Sequence, residues 1–316
     1  MNILITGGAG FIGSHLADRL LEENNQVVIY DNLSLGKIEN IDHAIKDPNC
    51  IFIEGDILDK EKLYFVFKQN RFDAVFHFAA NSDIEKSSKN PDIDFNNTFK
   101  TTYNILNMMR EFNVKKIVFA SSSAIYGKTT EKISEDYAPL FPISHYGAAK
   151  LASEAFISSF AENYGIQCWI TRFPNVTGKR VTHGVIFDFI NKLKKNPKEL
   201  TVLGNGEQNK PYLYVGELID AILFVFKNSN EKINYFNIGT SSRTKVKDIA
   251  KTVINAMNLS AKINYTGGET GWIGDVKEFS YDLSKINNLG WKSKMSSDEA
   301  IQKSIQYILE NNKCKQ

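Results

Sequence analysis

The stretch GGAGFIG at residues 7–13, directly after the apolar run at 3–5, decides the fold. Apolar residues then recur at three- and four-residue spacing, which indicates an amphipathic helix that begins near Phe11. Glycines placed in this way permit a tight turn, let a phosphate approach the backbone and let the helix pack closely on the strand. The stretch predicts a strand, turn and helix that bind a dinucleotide pyrophosphate on helix N-terminal amides. The alternative is a glycine-rich turn that only joins strand to helix.

Two aspartates follow the next predicted strands. Asp31 ends the second strand, where a carboxylate can accept hydrogen bonds from both ribose hydroxyls and repel a 2′-phosphate, which favours NAD over NADP as the cofactor. Asp56 follows Gly55 after the third strand. It either contacts the adenine or caps the helix that comes after it.

Strand-like runs alternate with helical segments through the first half of the chain, which is typical of βαβ units and of a parallel sheet covered on both faces. The predicted strands span residues 3–5, 26–30, 51–54, 74–78, 117–120 and 168–171. The predicted helices span residues 15–23, 60–68, 98–111 and 148–164. We therefore expect an α/β fold with a Rossmann-type, doubly wound parallel sheet.

The composition changes at about Asn175, after which glycine and asparagine are more frequent. Short strands are predicted there at residues 200–203 and 212–214, and helices at 185–195 and 217–227. We predict an NAD-binding Rossmann domain over residues 1–174 and a smaller C-terminal α/β substrate-binding lobe over 175–316. The boundary is approximate, because chains of this kind can cross between lobes.

Charge and composition argue against several classes of partner. The 38 basic and 36 acidic residues leave a net charge of +2, which gives no support for a nucleic-acid or anionic-membrane partner. No stretch approaches the roughly 20 apolar residues of a membrane span. The spacing of Cys50, Cys168 and Cys314 does not match a metal site and indicates thiols in a reducing compartment. We expect a cytoplasmic protein without a bound metal.

The sequence YGAAK places Tyr146 and Lys150 four residues apart on one predicted helix face. A phenol has a pKa near 10 and needs help to act as a base at neutral pH, and a neighbouring ammonium favours the phenolate. The same spacing recurs at 64–68 and 281–285. Tyr146 differs because SSSAIYG at 121–127 precedes it, at the sheet edge where doubly wound folds bind ligands. One of these serines can hold a reacting hydroxyl, although serines at strand ends also commonly satisfy backbone groups.

Taken together, these motifs resemble the extended short-chain dehydrogenase/reductase family, and within it the NAD-dependent sugar-nucleotide epimerases and dehydratases. The resemblance covers nearly the whole chain and is closest to the UDP-galactose (UDP-glucose) 4-epimerases. The matching pieces are GGAGFIGSH at Gly7, DNLS at Asp31, GDI at Gly55, HFAA at His77, NNT at Asn96, SSSAIYG at Ser121, YGAAK at Tyr146, RFPNVTG at Arg172 and GD at Gly274.

The resemblance implies NAD as the cofactor and a nucleotide-diphosphate sugar as the substrate. It implies that Tyr146 is the acid/base, that Lys150 also binds the nicotinamide ribose, and that Ser122 is the catalytic hydroxyl. The implied cofactor-binding residues are Gly7, Gly10, Phe11, Ile12, Gly13, Asp31, Asn32, Ser34, Asp56, Ile57, Phe78, Ala79, Ala80, Asn97, Ser121, Tyr146, Lys150 and Phe173. The implied substrate-binding residues are Ser82, Ser122, Ser123, Asn175, Lys210, Tyr212, Trp272 and Asp275.

Departures from the family pattern narrow the function. The 4,6-dehydratases of this family carry acidic residues after the catalytic hydroxyl, whereas Ser123 and Ala124 stand here, so elimination lacks its acid and base. Two arginines of the UDP-galactose epimerases are matched by Lys210 and Trp272, and neither residue supplies bidentate phosphate recognition well. The loop GKRVTHG at 178–184 supplies possible replacements in its arginine and histidine, or is a polar loop without a ligand.

Three functional hypotheses follow. The first is an NAD-dependent nucleotide-sugar 4-epimerase with a transient 4-keto intermediate, and the second is a nucleotide-sugar dehydrogenase or keto-sugar reductase without dehydration. The third is a non-catalytic NAD-binding protein, since the fold is shared with such proteins. The family also implies a homodimer through the helices at 98–111 and 148–164, whose apolar faces could equally be ordinary core.

Overall fold

Runs rich in valine, isoleucine and phenylalanine form the strands, because such side chains pack well on a pleated surface. The computed structural model describes residues 1–82, 84–129, 131–269, 271 and 276–313. The strands are β1 Asn2–Thr6, β2 Gln26–Asp31, β3 Cys50–Glu54, β4 Ala74–His77, β5 Lys116–Ser122, β6 Lys132–Ile133, β7 Gln167–Phe173, β8 Asn175–Thr177, β9 Glu199–Val202, β10 Asn209–Lys210, β11 Tyr212–Tyr214, β12 Ile233–Asn237, β13 Thr244–Lys245, β14 Lys262–Tyr265 and β15 Ser280–Tyr281.

Amphipathic segments form helices that cover the strands. The helices are α1 Phe11–Glu22, α2 Lys60–Gln69, α3 Ile84–Lys89, α4 Asp92–Asp94, α5 Thr101–Glu111, α6 His145–Tyr164, α7 Val185–Lys195, α8 Val215–Asn228, α9 Val246–Ala256, α10 Ser284–Leu289 and α11 Ser297–Lys313. A π-helical turn, Phe95–Lys100, joins α4 to α5, and a 3-10 turn, Ser123–Tyr126, follows β5. None of the helices in the described part of the chain has the length and apolar character that crossing a bilayer requires.

The central sheet has seven strands in the order β12-β7-β5-β4-β1-β2-β3. Strand β1 pairs in parallel with β2 and β4, while β2 pairs in parallel with β3 and β4 with β5. The chain thus runs outward from β1 in one direction and then outward in the other, which is the switch point where doubly wound sheets bind ligands. The predicted Rossmann-type α/β fold is confirmed, and β12 is a seventh strand that the sequence analysis missed.

The chain forms two compact units rather than two uninterrupted domains. The first unit contains residues 1–127, 139–172 and 222–236, and the second contains 128–138, 173–221 and 237–316. A single cut after residue 174 therefore misplaces two segments, 128–138 and 222–236. The later segment belongs to the first unit because it supplies β12 to the central sheet.

Each unit has its own apolar core. In the first unit, strands β1, β2, β4, β5 and β7 pack against α2, α5 and α6 through residues such as Leu4, Phe119 and Ile157. In the second unit, α7, α9 and α11 pack around β9 through residues such as Ile190, Leu200 and Val253. Burial of these side chains is the main stabilising contribution to both units.

A buried chain of hydrogen bonds ties the carboxyl ends of β1 and β4 to α5. His77 Nδ1 lies 2.6 Å from the Thr6 hydroxyl, and Nε2 lies 3.0 Å from the Thr102 hydroxyl. Because Thr102 donates its only hydroxyl proton to the Thr98 carbonyl, Nε2 must be the donor to Thr102. Burial together with the charge of Lys150 lowers the pKa of His77 to about 3, so the ring is neutral at pH 7 and Nδ1 accepts from the Thr6 hydroxyl.

This shift in the His77 pKa predicts a loss of stability in acid. The unfolded chain binds the His77 proton below a pH of about 6.5, whereas the folded chain does not do so until a pH of about 3. The free energy of unfolding should therefore fall as the pH is lowered from about 6.5 to about 3. A His77→Gln variant lacks this contribution and should lose less stability over the same pH range. Urea unfolding at several pH values measures this difference. Exposed His43→Gln is the control, and equal pH dependence in both variants would contradict the prediction.

Candidate active site and cofactor site

Gly7 and Gly13 shape the turn between β1 and α1. Gly7 has a φ of 70°, and a Cβ there would lie 2.7 Å from the backbone nitrogen of Ala79, which follows β4. A Cβ on Gly13 would overlap the carbonyl oxygen of Gly7. Both positions therefore require glycine. Among the described residues no side chain caps the N-terminus of α1, where the helix dipole favours an anion.

Asp31 is buried at the end of β2 and organises the loop around it. One carboxylate oxygen accepts a hydrogen bond from the Ala9 amide at 2.9 Å, and the other accepts one from the Leu33 amide at 2.8 Å. Burial raises the pKa of Asp31, and these two amide bonds lower it. Each carboxylate oxygen carries two lone pairs, so Asp31 retains acceptor capacity for ribose hydroxyls.

Asp56 lies beside Asn32 at the neighbouring strand ends. The Asn32 side-chain amide donates to Asp56 Oδ2 at 3.0 Å, and the Leu58 amide donates to Oδ1 at 2.8 Å. The helix that follows is capped instead by Asp59, whose carboxylate accepts a hydrogen bond from the Lys62 amide at 3.0 Å. The helix-cap alternative for Asp56 is therefore wrong, and its contact with the adenine stays a prediction.

The segment after β4 lies next to the glycine turn. Residues 78–80 are half-buried there, and Asn81 is buried. The Asn81 amide donates to the Thr98 hydroxyl at 3.2 Å, and its side chain donates to Asp94 Oδ1 at 2.8 Å. These bonds attach the segment that contains the predicted cofactor residues Phe78, Ala79 and Ala80 to α4 and to the π-helical turn that follows it.

Asn97 and Thr98 lie in the π-helical turn and differ in burial. The Asn97 side chain is exposed, whereas Thr98 is buried and faces Asn81. A turn of this kind takes one residue more than an α-helical turn, so it changes which residue faces the sheet. The contact of Asn97 with the cofactor stays a prediction, and Thr98, which the sequence analysis did not name, holds the segment after β4.

Ser122 and Tyr146 come together at the carboxyl edge of the sheet. Strand β5 ends at Ser122, and α6 begins just before Tyr146, with Ser144 accepting a hydrogen bond from the Gly147 amide at 3.1 Å as its cap. The Ser122 side chain lies near the Tyr146 phenol and lowers its pKa. The Ser122 hydroxyl accepts a hydrogen bond from the Ala124 amide at 3.2 Å. The same hydroxyl therefore caps the 3-10 turn and interacts with the phenol.

The phenol of Tyr146 is protonated at neutral pH in the protein alone. Burial raises the pKa of Tyr146 to about 12, the interaction with Ser122 lowers it, and the charge of Asp94 raises it further. Ser122 is thus one side chain that favours the phenolate. The expected effect of Lys150 on the phenolate stays a prediction.

Lys150 follows Tyr146 by one helical turn, but its ammonium points to β5. Nζ donates to the carbonyl oxygen of Ala120 at 2.6 Å and lies 4.8 Å from the centroid of the Phe119 ring. It lies 5.7 Å from the centroid of the Tyr146 ring. The ammonium and the phenol lie near each other, as predicted, and the backbone of β5 holds the ammonium.

Two buried carboxylates oppose the desolvation of Lys150. Burial lowers the pKa of Lys150 to about 7, whereas the charges of Asp94 and Glu154 raise it. Asp94 is 1% exposed, and within the described residues its Oδ2 has no hydrogen-bond partner. The two carboxylates therefore favour the charged form of Lys150 against the effect of burial.

The other predicted cofactor residues have different degrees of burial. Residues 10–12 are half-buried at the start of α1, and the Ser34 amide donates to the Asn32 side chain at 3.1 Å. Ile57 and Phe173 are buried. Ser121 is fully buried and its hydroxyl donates to a carboxylate of α6, so the structure does not support a cofactor contact by that side chain.

Several predicted substrate residues lie in the second unit. Asn175 is exposed at the start of β8, where it pairs with Tyr212 of β11. The Tyr212 side chain is buried in the core of that unit, which contradicts its predicted contact with substrate. Lys210 is half-buried on β10. Trp272 and Asp275 lie outside the described residues.

The remaining candidate residues are accessible. Ser82 is exposed after β4, and Ser123 is half-buried in the 3-10 turn. In the loop GKRVTHG, Arg180 is half-buried with a φ of 68°, and His183 is exposed. Their contacts with a substrate stay predictions.

The sequence profile of the NAD dependent epimerase/dehydratase family matches residues 3–239, which is more than half of the chain. This chain belongs to that family. The predicted membership of the NAD-dependent sugar-nucleotide epimerase/dehydratase group is confirmed, and the protein is an NAD-dependent enzyme.

Relatives in the epimerase/dehydratase family include both kinds of enzyme. A protein of Methanocaldococcus jannaschii, provisionally assigned as a UDP-glucose 4-epimerase, is 35% identical over 319 residues, which cover 98% of this chain and 99% of the relative. The crystal structure of UDP-glucose 4-epimerase with UDP-glucose from Thermotoga maritima is 32% identical with a TM-score of 0.90, covering 99% of this chain and 100% of that one. Human dTDP-D-glucose 4,6-dehydratase is 30% identical over 327 residues, which cover 98% of this chain and 90% of the relative.

The residues around β1 and β2 fit the NAD of this family. The glycine turn leads into α1, whose N-terminus has no side-chain cap within the described residues, so its first amides can bind a pyrophosphate. Asp31 presents a carboxylate at the end of β2, where it can bind ribose hydroxyls and repel a 2′-phosphate. We expect these residues to hold the cofactor.

Replacing Asp31 by Asn should weaken NAD binding and reduce the preference for NAD over NADP. The variant loses the charge that strengthens hydrogen bonds to the ribose and repels a 2′-phosphate, so we expect a Kd for NAD about tenfold higher. Isothermal titration calorimetry with both cofactors measures the two affinities. Asp59→Asn is the matched control, because Asp59 caps α2. An unchanged ratio of the two affinities in Asp31→Asn would contradict the assignment.

Proposed function

We propose that the protein is an NAD-dependent nucleotide-sugar 4-epimerase that acts through a transient 4-keto sugar. The surroundings of Tyr146 carry this proposal. Its phenol interacts with Ser122, which lowers the pKa of the phenol, and Ser123 and Ala124 follow in the 3-10 turn. Removal of water needs a positioned acid and base, and neither residue after Ser122 is a carboxylate. The site therefore favours oxidation and re-reduction over dehydration.

In the proposed reaction Tyr146 takes the proton of the sugar 4-hydroxyl and later returns it. NAD, when bound, supplies the hydride acceptor and donor and a positive ring that favours the phenolate. Ser122 holds the reacting oxygen as charge develops on it. Lys150 compensates the phenolate and binds the nicotinamide ribose. The keto sugar presents its opposite face before Tyr146 returns the proton, so that the product differs in configuration at one carbon.

The proposed substrate is a nucleotide-diphosphate sugar. Asn175, Lys210 and the loop at 178–184 are accessible in the second unit, and we assign them to the diphosphate and nucleotide. Substitution of the arginines found in UDP-galactose epimerases by Lys210 and Trp272 favours the second candidate function, a dehydrogenase or keto-sugar reductase. That reaction consumes free cofactor in proportion to product.

Proton NMR of reaction products distinguishes these candidates. The purified protein is incubated with UDP-, GDP-, CDP- and dTDP-sugars, with and without added NAD. A 4-epimerase yields a stereoisomer without net consumption of cofactor. A keto sugar with stoichiometric NADH supports the dehydrogenase, and a 4-keto-6-deoxy sugar would contradict the proposal in favour of dehydration.

Tyr146→Phe should lower kcat by about a hundredfold to ten-thousandfold in this assay, because the variant lacks the group that transfers the proton. Tyr64→Phe is the matched control, since Tyr64 and Lys68 have the same spacing on α2 and their side chains also lie close, with 5.7 Å from Nζ to the ring centroid. The control should retain full kcat. Full activity in Tyr146→Phe would exclude the proposed chemistry, and binding of NAD without any turnover would favour a non-catalytic protein.

We also propose a homodimer formed by α5 and α6. Both helices bury one face in the core, yet Tyr103 of α5 and Phe156 of α6 are exposed on another face, Phe156 by 39%. Phe95, in the π-helical turn that precedes α5, is exposed by 54%. Phe156 lies 5.1 Å from Phe99 and 5.8 Å from Tyr103, measured between ring centroids. A contiguous aromatic surface of this kind is typical of an interface with a second protein copy.

Sedimentation at micromolar concentration tests the dimer. The unsubstituted protein should sediment as a dimer, and Phe156→Ser should sediment as a monomer because it removes aromatic contact area at the proposed interface. Phe65→Ser, at a residue 53% exposed on α2, is the matched control and should remain dimeric. A monomeric unsubstituted protein would overturn this proposal.

We place the enzyme in the cytoplasm, which its free thiols Cys50 and Cys168 support.

A further inference from the structure

Glu154 continues the face of α6 that carries the catalytic pair. It follows Lys150 by four residues and Tyr146 by eight, so all three side chains project from the same side of the helix. The Ser121 hydroxyl donates to Glu154 Oε1 at 2.5 Å. Ser121 immediately precedes the catalytic Ser122, so Glu154 holds the beginning of the catalytic turn.

Arg172 of β7 holds both Glu154 and the other end of that turn. Its Nε donates to Glu154 Oε1 at 3.1 Å and its Nη2 donates to Oε2 at 2.7 Å. Its Nη1 donates to the hydroxyl of Tyr126, the last residue of the 3-10 turn, at 2.9 Å. The guanidinium also packs against the rings of Tyr126 and Tyr235, at 5.3 Å and 5.6 Å from their centroids.

The ion pair is buried, with the side chains of Arg172 and Glu154 exposed by 9% and 6%. Charges removed from water in this way are stable only when they are paired and their remaining hydrogen-bonding groups are satisfied. Ser121 and Tyr126 supply two of those additional bonds. The pair therefore cannot move without the two residues that flank the turn.

We propose that Glu154 and Arg172 form a clamp on both ends of residues 121–126, and that Glu154 is a positioning residue which fixes Ser122 relative to Tyr146. The clamp joins three elements, because Glu154 lies on α6, Arg172 on β7 and Ser121 on β5. Ser122 lies inside the clamped segment, whereas Tyr146 lies on the helix that carries the clamp. The inference rests on the proposed function for its kinetic consequence.

The reaction rate depends on how closely the Ser122 and Tyr146 hydroxyls keep their relative positions. A displacement of about 1 Å from the productive arrangement can cost about a hundredfold in rate. Loss of one clamp bond should permit a smaller displacement of Ser122 while the helix and the ion pair remain. We therefore expect a lower kcat with an unchanged KM, since the defect affects the reacting atoms and not the binding of the nucleotide.

Ser121→Ala is the first test, because it removes one clamp bond without removing a buried charge. Its kcat in the NMR assay should fall about tenfold with KM within about twofold of the unsubstituted value. Ser153→Ala is the matched control on α6, where the buried Ser153 hydroxyl donates only to the Ala149 carbonyl at 2.8 Å. It should lose similar thermal stability and retain kcat. Ser121→Thr, which keeps a hydroxyl, should restore most of the rate.

Tyr126→Phe tests the other end of the clamp and keeps the ring that packs on Arg172. It should lower kcat as Ser121→Ala does. Amide hydrogen exchange provides a second readout that does not depend on turnover: the amides of residues 122–126 should exchange faster in Ser121→Ala and in Tyr126→Phe than in Ser153→Ala. Exchange and kcat equal to those of the control in both variants would overturn the clamp.

The two proposals can fail separately. If the unsubstituted protein epimerises a sugar and the clamp variants match Ser153→Ala, the clamp is overturned and the proposed function stands. If the unsubstituted protein converts no nucleotide sugar, the proposed function is overturned, and the exchange comparison alone decides whether the clamp holds the turn.

Discussion

Burial of the Lys150 ammonium is the constraint on which the catalytic side of the first unit depends. A charge removed from water must be compensated by hydrogen bonds and by opposite charge. Here the Ala120 carbonyl, the Phe119 ring and the carboxylates Asp94 and Glu154 provide that compensation. Glu154 in turn requires its own partner, which is the guanidinium of β7. The position of one lysine thus accounts for charged residues on three neighbouring elements.

A second set of buried polar groups serves the cofactor side of the same sheet edge. Thr6, His77 and Thr102 connect β1, β4 and α5, and Asn81 connects the segment after β4 to Asp94. The two sets meet at Asp94, because its charge also acts on Tyr146 and Lys150. The residues that shape the cofactor turn and those that set the protonation of the catalytic pair are therefore physically connected.

Local spacing explains which features the sequence could predict. The glycine turn, Asp31 at a strand end and the pair Tyr146 and Lys150 all depend on residues close together in the chain, and the structure places them at one sheet edge. The contacts of Ser121 could not be predicted, because its partner Glu154 lies 33 residues away. Helical spacing from Tyr146 was the available signal for Glu154, since the same four-residue interval leads to it.

Other differences arise from backbone geometry that composition does not encode. Tyr212 is buried because the short strand β11 turns that side chain into the core of the second unit. Strand β12 was missed because it returns to the sheet from a segment far along the chain. Thr98 was not named because residue spacing does not reveal the π-helical turn that directs it towards Asn81.

The widened turn at Phe95–Lys100 has a consequence for how one helix serves two surfaces. The extra residue in the turn rotates the side-chain directions of all later residues about the helix axis. The residues before and after the turn therefore follow two separate helical registers. The upstream register directs Asp94 inward towards Asn81, and the downstream register presents Tyr103 outward beside Phe156. Loss of a single residue here would bring both registers into one phase, and the inward carboxylate and the outward aromatic face could no longer both keep their directions.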